Sequence, residues 1–560
     1  PGPASPRAEA STPRMKPWAA SMSLGPISTR RGTPFISYSA NFQPGELSVS
    51  SSFTRNFVFR DSYSAFALSS TPDLCCAIGM IASWIGATFG GSGDLAHRKI
   101  YPALFNLYRR NVIHDNFAVI GTARRPWSHE YLREQVAQAV HESWEEVDEA
   151  QLTEFASHFY YQSHDVTNVE HYVTLKQLAQ ELDERYECGG NRIFYMAMAP
   201  SFFGTIAEHI ADQHLTGTGF NRLVVEKPFG TDLASAEVLN QQIRNSFAED
   251  QVFRIDHYLG KEMVQNILPL RFGNSLFKRI WNADAVKNVQ VTLAERLGVE
   301  ARGGYYNNSG ALRDMVQNHI MQIITLLAMP EPKDLSDKAI HAAKEDLLAS
   351  LVIPDEKAVS ENIIRGQYLG TETTFEYVKE PNVAEDSKTE TYVAGRLEFS
   401  KGPLAGVPVY FRTGKEMREK KTRVDVVFKD EAGLYGDKAK TNVLTIEIDP
   451  VNQVYFRLNG KIVAGGDLRL ERFRYRYSED EQAEVPDGYE RLIHDVFVND
   501  STNFTKWEEL KQYWRFVDAV EAAWQKQNAA GEKPVKYRPY GMGPDTSKIF
   551  ADPEDGWIYK

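Results

Sequence analysis

The pattern of apolar and polar residues changes near the middle of the chain. In the first part, short apolar runs at residues 81–89, 117–121, 193–198 and 223–225 alternate with stretches of helical periodicity. Alternation of buried strands with helices is typical of a doubly wound parallel sheet. Residues 80–256 are therefore predicted to form an α/β domain.

After this domain, apolar residues alternate singly with polar ones, as in antiparallel strands with one buried face. The runs of this kind are residues 289–293, 424–428, 443–448 and 454–458. The last run meets Asn459-Gly460, a dipeptide that predicts a hairpin turn. Helical patterns at residues 308–328 and 507–525 would cover the sheet. Residues 257–560 are thus predicted to be a larger α+β domain with a mainly antiparallel sheet, and the cleft between the two domains is the expected site.

Residues 1–79 differ from the rest in composition. They are rich in serine and proline, and they contain four acidic residues against seven lysines and arginines. An acid-poor leader of this kind is found in organelle transit peptides, but no amphipathic periodicity runs through it. We therefore expect a disordered or non-native extension, with the folded chain starting at Met80.

Composition and charge narrow the classes of function. A chain of 560 residues is too long for one compact core, and its 42% hydrophobic and 25% charged residues are ordinary for a globular protein. The net charge of −12 argues against nucleic acid or an anionic membrane as partner. The apolar run at residues 74–89 is short for a membrane span. Three cysteines show neither disulfide nor metal-ligand spacing, which predicts a reducing, cytoplasmic compartment and no metal site.

A glycine-rich turn separates the first predicted strand from the first predicted helix. Gly90, Gly93 and Ala96 have the spacing Gly-x-x-Gly-x-x-Ala, a variant of the dinucleotide fingerprint of Rossmann domains. Glycine permits the tight turn and a close approach to a pyrophosphate, and the helix N-terminus offers N–H groups to phosphate. Taken alone, the triplet fits a plain strand-to-helix turn equally well. Pro102 predicts a kink or a delayed start of the helix.

The end of the second predicted strand indicates which dinucleotide is bound. NAD-preferring Rossmann domains place an acidic residue there to bind the ribose hydroxyls. Here Arg124 and Arg125 follow the strand, and guanidinium groups suit a 2′-phosphate. NADP is therefore expected, with NAD use left open; the alternative is a pair of solvated surface arginines.

Residues 254–262 concentrate groups that could perform acid–base chemistry. Asp256, His257, Tyr258 and Lys261 lie within six positions, directly after an apolar pair. Such a set predicts a site for an anionic substrate that exchanges a proton, although an isolated nine-residue segment is more often a solvated loop. A second candidate, His319, lies among apolar residues, where a lone histidine is usually a satisfied core group.

The chain resembles the glucose-6-phosphate dehydrogenase family, because residues 254–262 are nearly identical to its active-site signature. Further matches follow in the family's order from about residue 81 to the end; they are Glu226–Gly230 (Glu-Lys-Pro-Phe-Gly), Gly310–His319, Gly541–Pro544 and Asp555–Trp557. The resemblance, nearest to the lactic-acid-bacterial type, implies oxidation of D-glucose 6-phosphate at C1 to 6-phospho-D-glucono-1,5-lactone with NADP⁺. This is the first step of the pentose phosphate pathway. The resemblance also implies a homodimer formed through the antiparallel sheet.

The same resemblance implies a role for each matching residue. His319 would be the general base, Asp256 would fix its tautomer, and Lys227 would be the third catalytic residue. The implied substrate-binding residues are His257, Tyr258 and Lys261 for the 6-phosphate, Glu295 and Asp314 for sugar hydroxyls, and Lys415, Lys420 and Lys99 near the site. The implied cofactor-binding residues are Gly90, Ser92, Gly93, Asp94, Leu95, Arg124, Arg125, Ala199, Pro200, Lys227 and Pro228.

Two alternatives remain open at this stage. Another family of sugar oxidoreductases shares the Rossmann and Glu-Lys-Pro elements and would act on an unphosphorylated sugar without needing His257 and Lys261. A catalytically silent dinucleotide-binding protein would be expected to lack His319 or Asp256, and both are present.

Overall fold

The computed structural model describes residues 83–430 and 433–560. The expectations for the leader, residues 1–79, and for a start at Met80 lie outside the described residues. Within these ranges, no helix is both long enough and apolar enough to cross a membrane.

The first sheet has six parallel strands in the order β3-β2-β1-β4-β5-β6. The strands are β1 (Trp84–Phe89), β2 (Phe117–Ala123), β3 (Phe159–Ser163), β4 (Arg192–Met196), β5 (Asn221–Val225) and β6 (Val252–Arg254). Because the order reverses between β1 and β4, a crevice opens at the carboxyl ends of these strands, as in other doubly wound sheets. The α/β prediction is confirmed.

Helices connect these strands, and several start where the sequence rules expect. They are α1 (Tyr101–Arg109), α2 (His129–Ser143), α3 (Glu149–Ser157), α4 (Val169–Tyr186), α5 (Phe203–Asp212) and α6 (Leu233–Arg244). Ser128 caps α2, and Asp232 with Ser235 forms a capping box at α6. The helix begins at residue 94, widens over Ala96–Ile100 and runs directly into α1, in which Pro102 is the second residue. The expected delay is therefore wrong, because the chain is helical before the proline; the wide turn directly before α1 is the local distortion.

The second sheet has nine strands in the order β14-β13-β12-β11-β7-β10-β9-β8-β15. The strands are β7 (Val286–Ala294), β8 (Ile363–Tyr368), β9 (Tyr392–Leu397), β10 (Val409–Gly414), β11 (Lys421–Phe428), β12 (Val443–Asp449), β13 (Gln453–Lys461), β14 (Leu468–Arg476) and β15 (Val535–Tyr537). Most neighbours are antiparallel, as predicted, but β7 with β10 and β8 with β15 are parallel pairs.

The helices of this half pack against the sheet and against the first domain. They are α7 (Glu262–Gln265), α8 (Ile267–Phe272), α9 (Ser275–Ile280), α10 (Gly303–Ala311), α11 (Met321–Ala328), α12 (Asp337–Leu348), α13 (Glu356–Asn362), α14 (Glu479–Glu484), α15 (Gly488–Val498) and α16 (Trp507–Ala529). A wide helical segment, Leu312–Ile320, joins α10 to α11. The predicted helices at 308–328 and 507–525 are both present.

The expectation of one buried face is wrong for the central strands, which are buried on both faces. The C-terminal segment crosses the face that was expected to be open. Gln290 donates to the carbonyl of Gly556 at 3.0 Å, and Arg412 donates to the carbonyl of Tyr559. Polar side chains such as Gln290 and Arg412 are therefore accommodated on a buried face, because backbone groups of this segment bind them.

The predicted hairpin turn at Asn459-Gly460 is also wrong. Strand β13 continues through both residues, which pair with Leu470 and Arg469 of β14. The chain turns between residues 462 and 467, where Ala464 has a φ of 59°. Pairing with β14 therefore prevails over the local turn preference of the dipeptide.

Helix α15 belongs to the second half of the sequence but packs on the first sheet. Its Leu492 and Val496 lie in one buried cluster with Trp84. Arg222 of β5 donates to the carbonyls of Val496 and Phe497 at the helix C-terminus, both at 2.7 Å. The C-terminal end of α15 thus packs at the amino ends of β1 and β5, although the helix comes from far along the chain.

Candidate active site

The imidazole of His319 contacts two other ionisable side chains, those of Asp256 and Lys227. Its Nδ1 is 2.5 Å from Oδ1 of Asp256, and its Nε2 is 2.7 Å from Nζ of Lys227. His319 is 1% exposed and Asp256 is 3% exposed. The structure therefore brings together the three residues for which a catalytic role was predicted.

The fold explains how these residues meet. Strands β5 and β6 are parallel neighbours, so the residues after them, including Lys227 and Asp256, leave the sheet at the same edge. His319 stands on Leu312–Ile320, which starts beside Gly310 with its φ of 70°. A Cβ at Gly310 would lie 2.3 Å from the carboxylate of Glu390, the group that accepts the N–H of Leu312. Glycine is therefore required at the start of this segment.

Electrostatics hold the pair in one protonation state. Burial raises the pKa of Asp256, but the attraction and hydrogen bond of His319, together with the charges of His257 and Lys227, outweigh it and bring the pKa to about 2. Burial lowers the pKa of His319, and Asp256 offsets only part of that effect. At neutral pH the carboxylate is ionised and the imidazole is neutral. Its N–H at Nδ1 donates to Asp256, so Nε2 carries the electron pair, which accepts from the ammonium of Lys227.

The rest of the 254–262 segment surrounds the imidazole. The ring of Tyr258 stacks on that of His319, with centroids 4.1 Å apart, and the ring of His257 meets it edge-on at 4.7 Å. Burial holds the pKa of His257 well below its usual range. Lys261 donates to Oδ2 of Asp449 at 2.8 Å, and Lys420 lies 3.1 Å from the same oxygen. Two ammonium groups thus converge on one carboxylate, and that of Lys261 also lies 4.7 Å from the centroid of the Tyr258 ring, so a second anion would meet two cations there.

Two predicted carboxylates lie next to predicted lysines. Glu295 is 2.6 Å from Nζ of Lys415, because the parallel strands β7 and β10 end side by side directly before these residues. Asp314 is 3.7 Å from Nζ of Lys227 and accepts from the hydroxyl of Tyr305 at 3.3 Å. Burial raises the pKa of Asp314, but Lys227 and Lys415 outweigh it, so the carboxyl is ionised.

Lys99 is placed differently from the other lysines. Its Nζ donates to Asp487 at 2.9 Å, and Asp487 caps the start of α15. Two residues further on, the ring of Tyr489 lies parallel to that of His257, with centroids 6.1 Å apart. Sequence reasoning missed Tyr489 and Asp449, since each comes from a segment whose composition indicates no chemistry.

The glycine turn forms a cradle that fits a dinucleotide phosphate. Gly90 has a φ of 94°, and a Cβ there would lie 2.2 Å from the carbonyl oxygen of Ala197. A cleft of about 380 Å³ lies beside the turn, lined among others by Ser92, Asp94 and Arg125. Within the turn, the N–H groups of Gly90 and Gly91 donate to the carbonyl of Thr122, and that of Gly93 donates to the carbonyl of Gly90. The N-terminus of the helix that begins at residue 94 is therefore the part of this cradle that suits a phosphate.

The other predicted cofactor residues lie along the carboxyl edge of the first sheet. Arg124 and Arg125 are exposed at the end of β2, and Arg125 donates to the carbonyl of Ser92 at 3.3 Å. The remaining residues of this set are Leu95 and Gly93 in the turn, Ala199 and Pro200 after β4, and Pro228 after β5. Their common edge is where doubly wound sheets bind dinucleotides.

Asp256, His257 and His319 also offer ligand atoms within 4.8 Å of one another, a spacing that a metal ion could bridge. However, Asp256 occupies Nδ1 of His319, and the ammonium of Lys227 occupies Nε2. A metal ion would have to displace that ammonium, so the arrangement favours proton transfer.

Known proteins share both the sequence and the fold. The sequence model of the glucose-6-phosphate dehydrogenase NAD binding domain matches residues 87–266, and that of the C-terminal domain matches residues 268–558. The chain is 46% identical to glucose-6-phosphate 1-dehydrogenase of Streptococcus pneumoniae, over 84% of this chain and 95% of that protein. It is 44% identical to the protein of the same name from Leuconostoc mesenteroides, over 84% of this chain and 98% of that protein.

Solved structures agree with these matches. A glucose-6-phosphate dehydrogenase in complex with its substrate glucose-6-phosphate gives a TM-score of 0.77 at 32% identity, covering 84% of this chain and 97% of that chain. A glucose-6-phosphate 1-dehydrogenase from Mycobacterium avium gives 0.69 at 30% identity, covering 82% and 96%. The predicted combination of a Rossmann domain with a larger α+β domain is confirmed. The chain belongs to the glucose-6-phosphate dehydrogenase family.

Proposed function

We propose that this chain oxidises D-glucose 6-phosphate at C1 to 6-phospho-D-glucono-1,5-lactone and transfers the hydride to NADP⁺. This is the first step of the pentose phosphate pathway. The observation that carries the proposal is the buried pair of His319 and Asp256 at the carboxyl edge of the first sheet. The solved relative that holds glucose 6-phosphate as its substrate supports the same substrate here.

His319 acts as the general base in this proposal. Its Nε2 takes the proton of the C1 hydroxyl while the hydride leaves C1, and the C1–O bond becomes the lactone carbonyl. Asp256 stabilises the imidazolium that forms, because it stays ionised well below neutral pH. The bound dinucleotide supplies the hydride acceptor.

The ammonium of Lys227 binds the base before the substrate enters and binds the substrate afterwards. This ammonium donates to Nε2 of His319 and to the carbonyl of Asp314. When the C1 hydroxyl takes its place at Nε2, the same ammonium can donate to an oxygen of the sugar. This exchange keeps both Nε2 of His319 and the ammonium of Lys227 partnered, which lowers the cost of substrate entry.

The charges of the remaining residues support binding roles toward the substrate and the dinucleotide. His257, Tyr258, Lys261 and Lys420 would hold the 6-phosphate. The groups proposed for the sugar hydroxyls are Glu295, Asp314 and Lys415, and Lys99 acts at the rim through α15. Those proposed for the dinucleotide are Gly90, Ser92, Gly93, Asp94 and Leu95 at the pyrophosphate, Arg124 and Arg125 at the 2′-phosphate, and Ala199, Pro200, Lys227 and Pro228 along the edge.

The net charge and the cysteine pattern support a proposal for the compartment and the partners of this chain. A chain with a net charge of −12 has no general affinity for nucleic acid or anionic membranes. Its three cysteines lack a pairing pattern, which supports a cytoplasmic location. NADP⁺ is the proposed acceptor, and reduction of NAD⁺ by the native chain is the measurement that decides whether NAD⁺ is also used.

Replacement of the base tests the mechanism. His319→Asn should reduce kcat by about 10²–10⁴-fold, the contribution expected of a general base, while glucose 6-phosphate still binds. The measurement is NADPH absorbance at saturating substrates, with calorimetry for binding. His114→Asn, on an exposed loop residue, is the matched control and should leave kcat unchanged. An unchanged kcat in the His319 variant would remove this residue from the role of base.

Replacement of an arginine tests the cofactor preference. Arg124→Ala should weaken NADP⁺ binding about 10-fold or more, because a charge-assisted hydrogen bond is lost. NAD⁺ lacks the 2′-phosphate, so its affinity should change little and it serves as the internal control. Titration of each dinucleotide gives the two dissociation constants. Equal losses for both would contradict the proposed contact.

We also propose a homodimer formed through the second sheet. Strand β14 is its outer strand, and Phe473 and Tyr475 are 62% and 55% exposed there. Exposed aromatic side chains on an edge strand favour pairing with a second copy. Light scattering should give a dimer for the native chain and a monomer for Phe473→Glu, whereas Phe375→Glu, 61% exposed in a loop, should stay dimeric. A dimer in all three would place the interface elsewhere.

A further inference from the structure

Glu226 is a buried carboxyl group in the site that the proposed chemistry does not use. It stands directly after β5, next to Lys227, and it is 8% exposed. Its Oε1 accepts from the hydroxyl of Tyr195 at 2.7 Å, and its Oε2 accepts from the hydroxyl of Tyr489 at 3.4 Å. The carboxyl thus joins two tyrosines.

The two tyrosines come from different parts of the molecule. Tyr195 is a core residue of β4, directly paired with Val224 of β5, so it gives Glu226 a rigid support. Tyr489 lies in the first turn of α15, 263 positions from Glu226 in the chain. The hydrogen bond to Glu226 therefore fixes the far end of a side chain that reaches into the crevice from another domain.

The ring of Tyr489 in turn lies beside His257, a residue predicted to bind the 6-phosphate. Its ring is parallel to the imidazole of His257 within 7°, with centroids 6.1 Å apart. The imidazole is also bounded by Tyr258 and His319 at 5.0 and 4.7 Å. A rotation of the Tyr489 ring would open one wall of the space that holds His257, and the ring N–H of His257 would lose its fixed direction.

We propose that Glu226 is a positioning residue that acts through the hydroxyl of Tyr489 to orient His257 toward the 6-phosphate of the substrate. The inference rests on the proposed function and deepens it by adding a support for the phosphate site. Glu226 sets the affinity for the phosphorylated end of the sugar, whereas proton and hydride transfer at C1 proceed without it.

The charge of Glu226 makes this link sensitive to pH. Burial raises the pKa of Glu226 to about 7; the hydroxyls of Tyr195 and Tyr489 and the ammonium of Lys227 limit the rise, and the like charge of Asp256 adds to it. Above pH 7 the carboxylate accepts charge-assisted bonds, which are stronger than those to the neutral acid. The effect of removing the charge on KM should therefore be larger at pH 8 than at pH 6.

Two variants test the link, and each changes few atoms. Glu226→Gln keeps a hydrogen-bonding oxygen but removes the charge, and Tyr489→Phe removes only the hydroxyl. Each should raise KM for glucose 6-phosphate about tenfold, while kcat changes by less than about twofold. The KM of the double variant should be no higher than that of the more strongly affected single variant, because both changes break the same contact. Tyr172→Phe, which loses a buried bond to the carbonyl of Val166, is the matched control and should leave KM unchanged.

Unphosphorylated glucose separates positioning from general damage. It cannot use His257 as a phosphate ligand, so its kcat/KM should be the same in the native chain and in both variants. Equal losses with glucose and glucose 6-phosphate, or additive losses in the double variant, would overturn the inference. If Glu226→Gln does not fold, as judged by circular dichroism, the Tyr489→Phe result decides. Failure of the native chain to reduce NADP⁺ with glucose 6-phosphate would instead overturn the proposed function, before any variant is compared.

Discussion

The hydrogen bond between His319 and Asp256 joins segments 63 positions apart, and the site depends on it. Both side chains are buried, so the ionised carboxylate is stabilised only while the imidazole and the N–H of Tyr258 remain in place. The pairing also fixes which ring nitrogen carries the proton. It is therefore at once a requirement for catalysis and a constraint on how the helical segment Leu312–Ile320 docks on the first sheet.

Parallel strand pairs supply the groups around this bond. Lys227 and Asp256 follow the neighbouring strands β5 and β6, while Glu295 and Lys415 follow β7 and β10. The second sheet is mostly antiparallel, yet one of its two parallel pairs ends at the site. Side chains that follow parallel neighbours emerge at one edge, so both sheets present charged groups to the same crevice. Helix α15 closes the crevice with residues from far along the chain.

The sequence predicted the parts of the site that are local. Asp256 to Lys261 are neighbours in the chain, and the strand pattern before them indicated the edge at which they emerge. Contacts between distant segments could not be predicted in this way. The bond of Glu226 to Tyr489 and the ion pair of Lys261 with Asp449 depend on tertiary packing, which leaves no periodic signal. The turn at Asn459-Gly460 was predicted wrongly for the same reason. Pairing of β13 with β14 prevailed over the local turn preference of this dipeptide.

The most direct test of the account is the pH dependence of kcat/KM for glucose 6-phosphate in the native chain and in Asp256→Asn. Burial lowers the pKa of His319 and Asp256 raises it in part, so activity should fall on the acid side below the ordinary histidine range. Without the carboxylate, that acid limb should move to still lower pH, and the plateau should drop because the tautomer is no longer fixed. Ionisation of the substrate phosphate is common to both profiles and cancels in the comparison. An acid limb at the same pH in both proteins would contradict the role of His319 as the base that Asp256 controls.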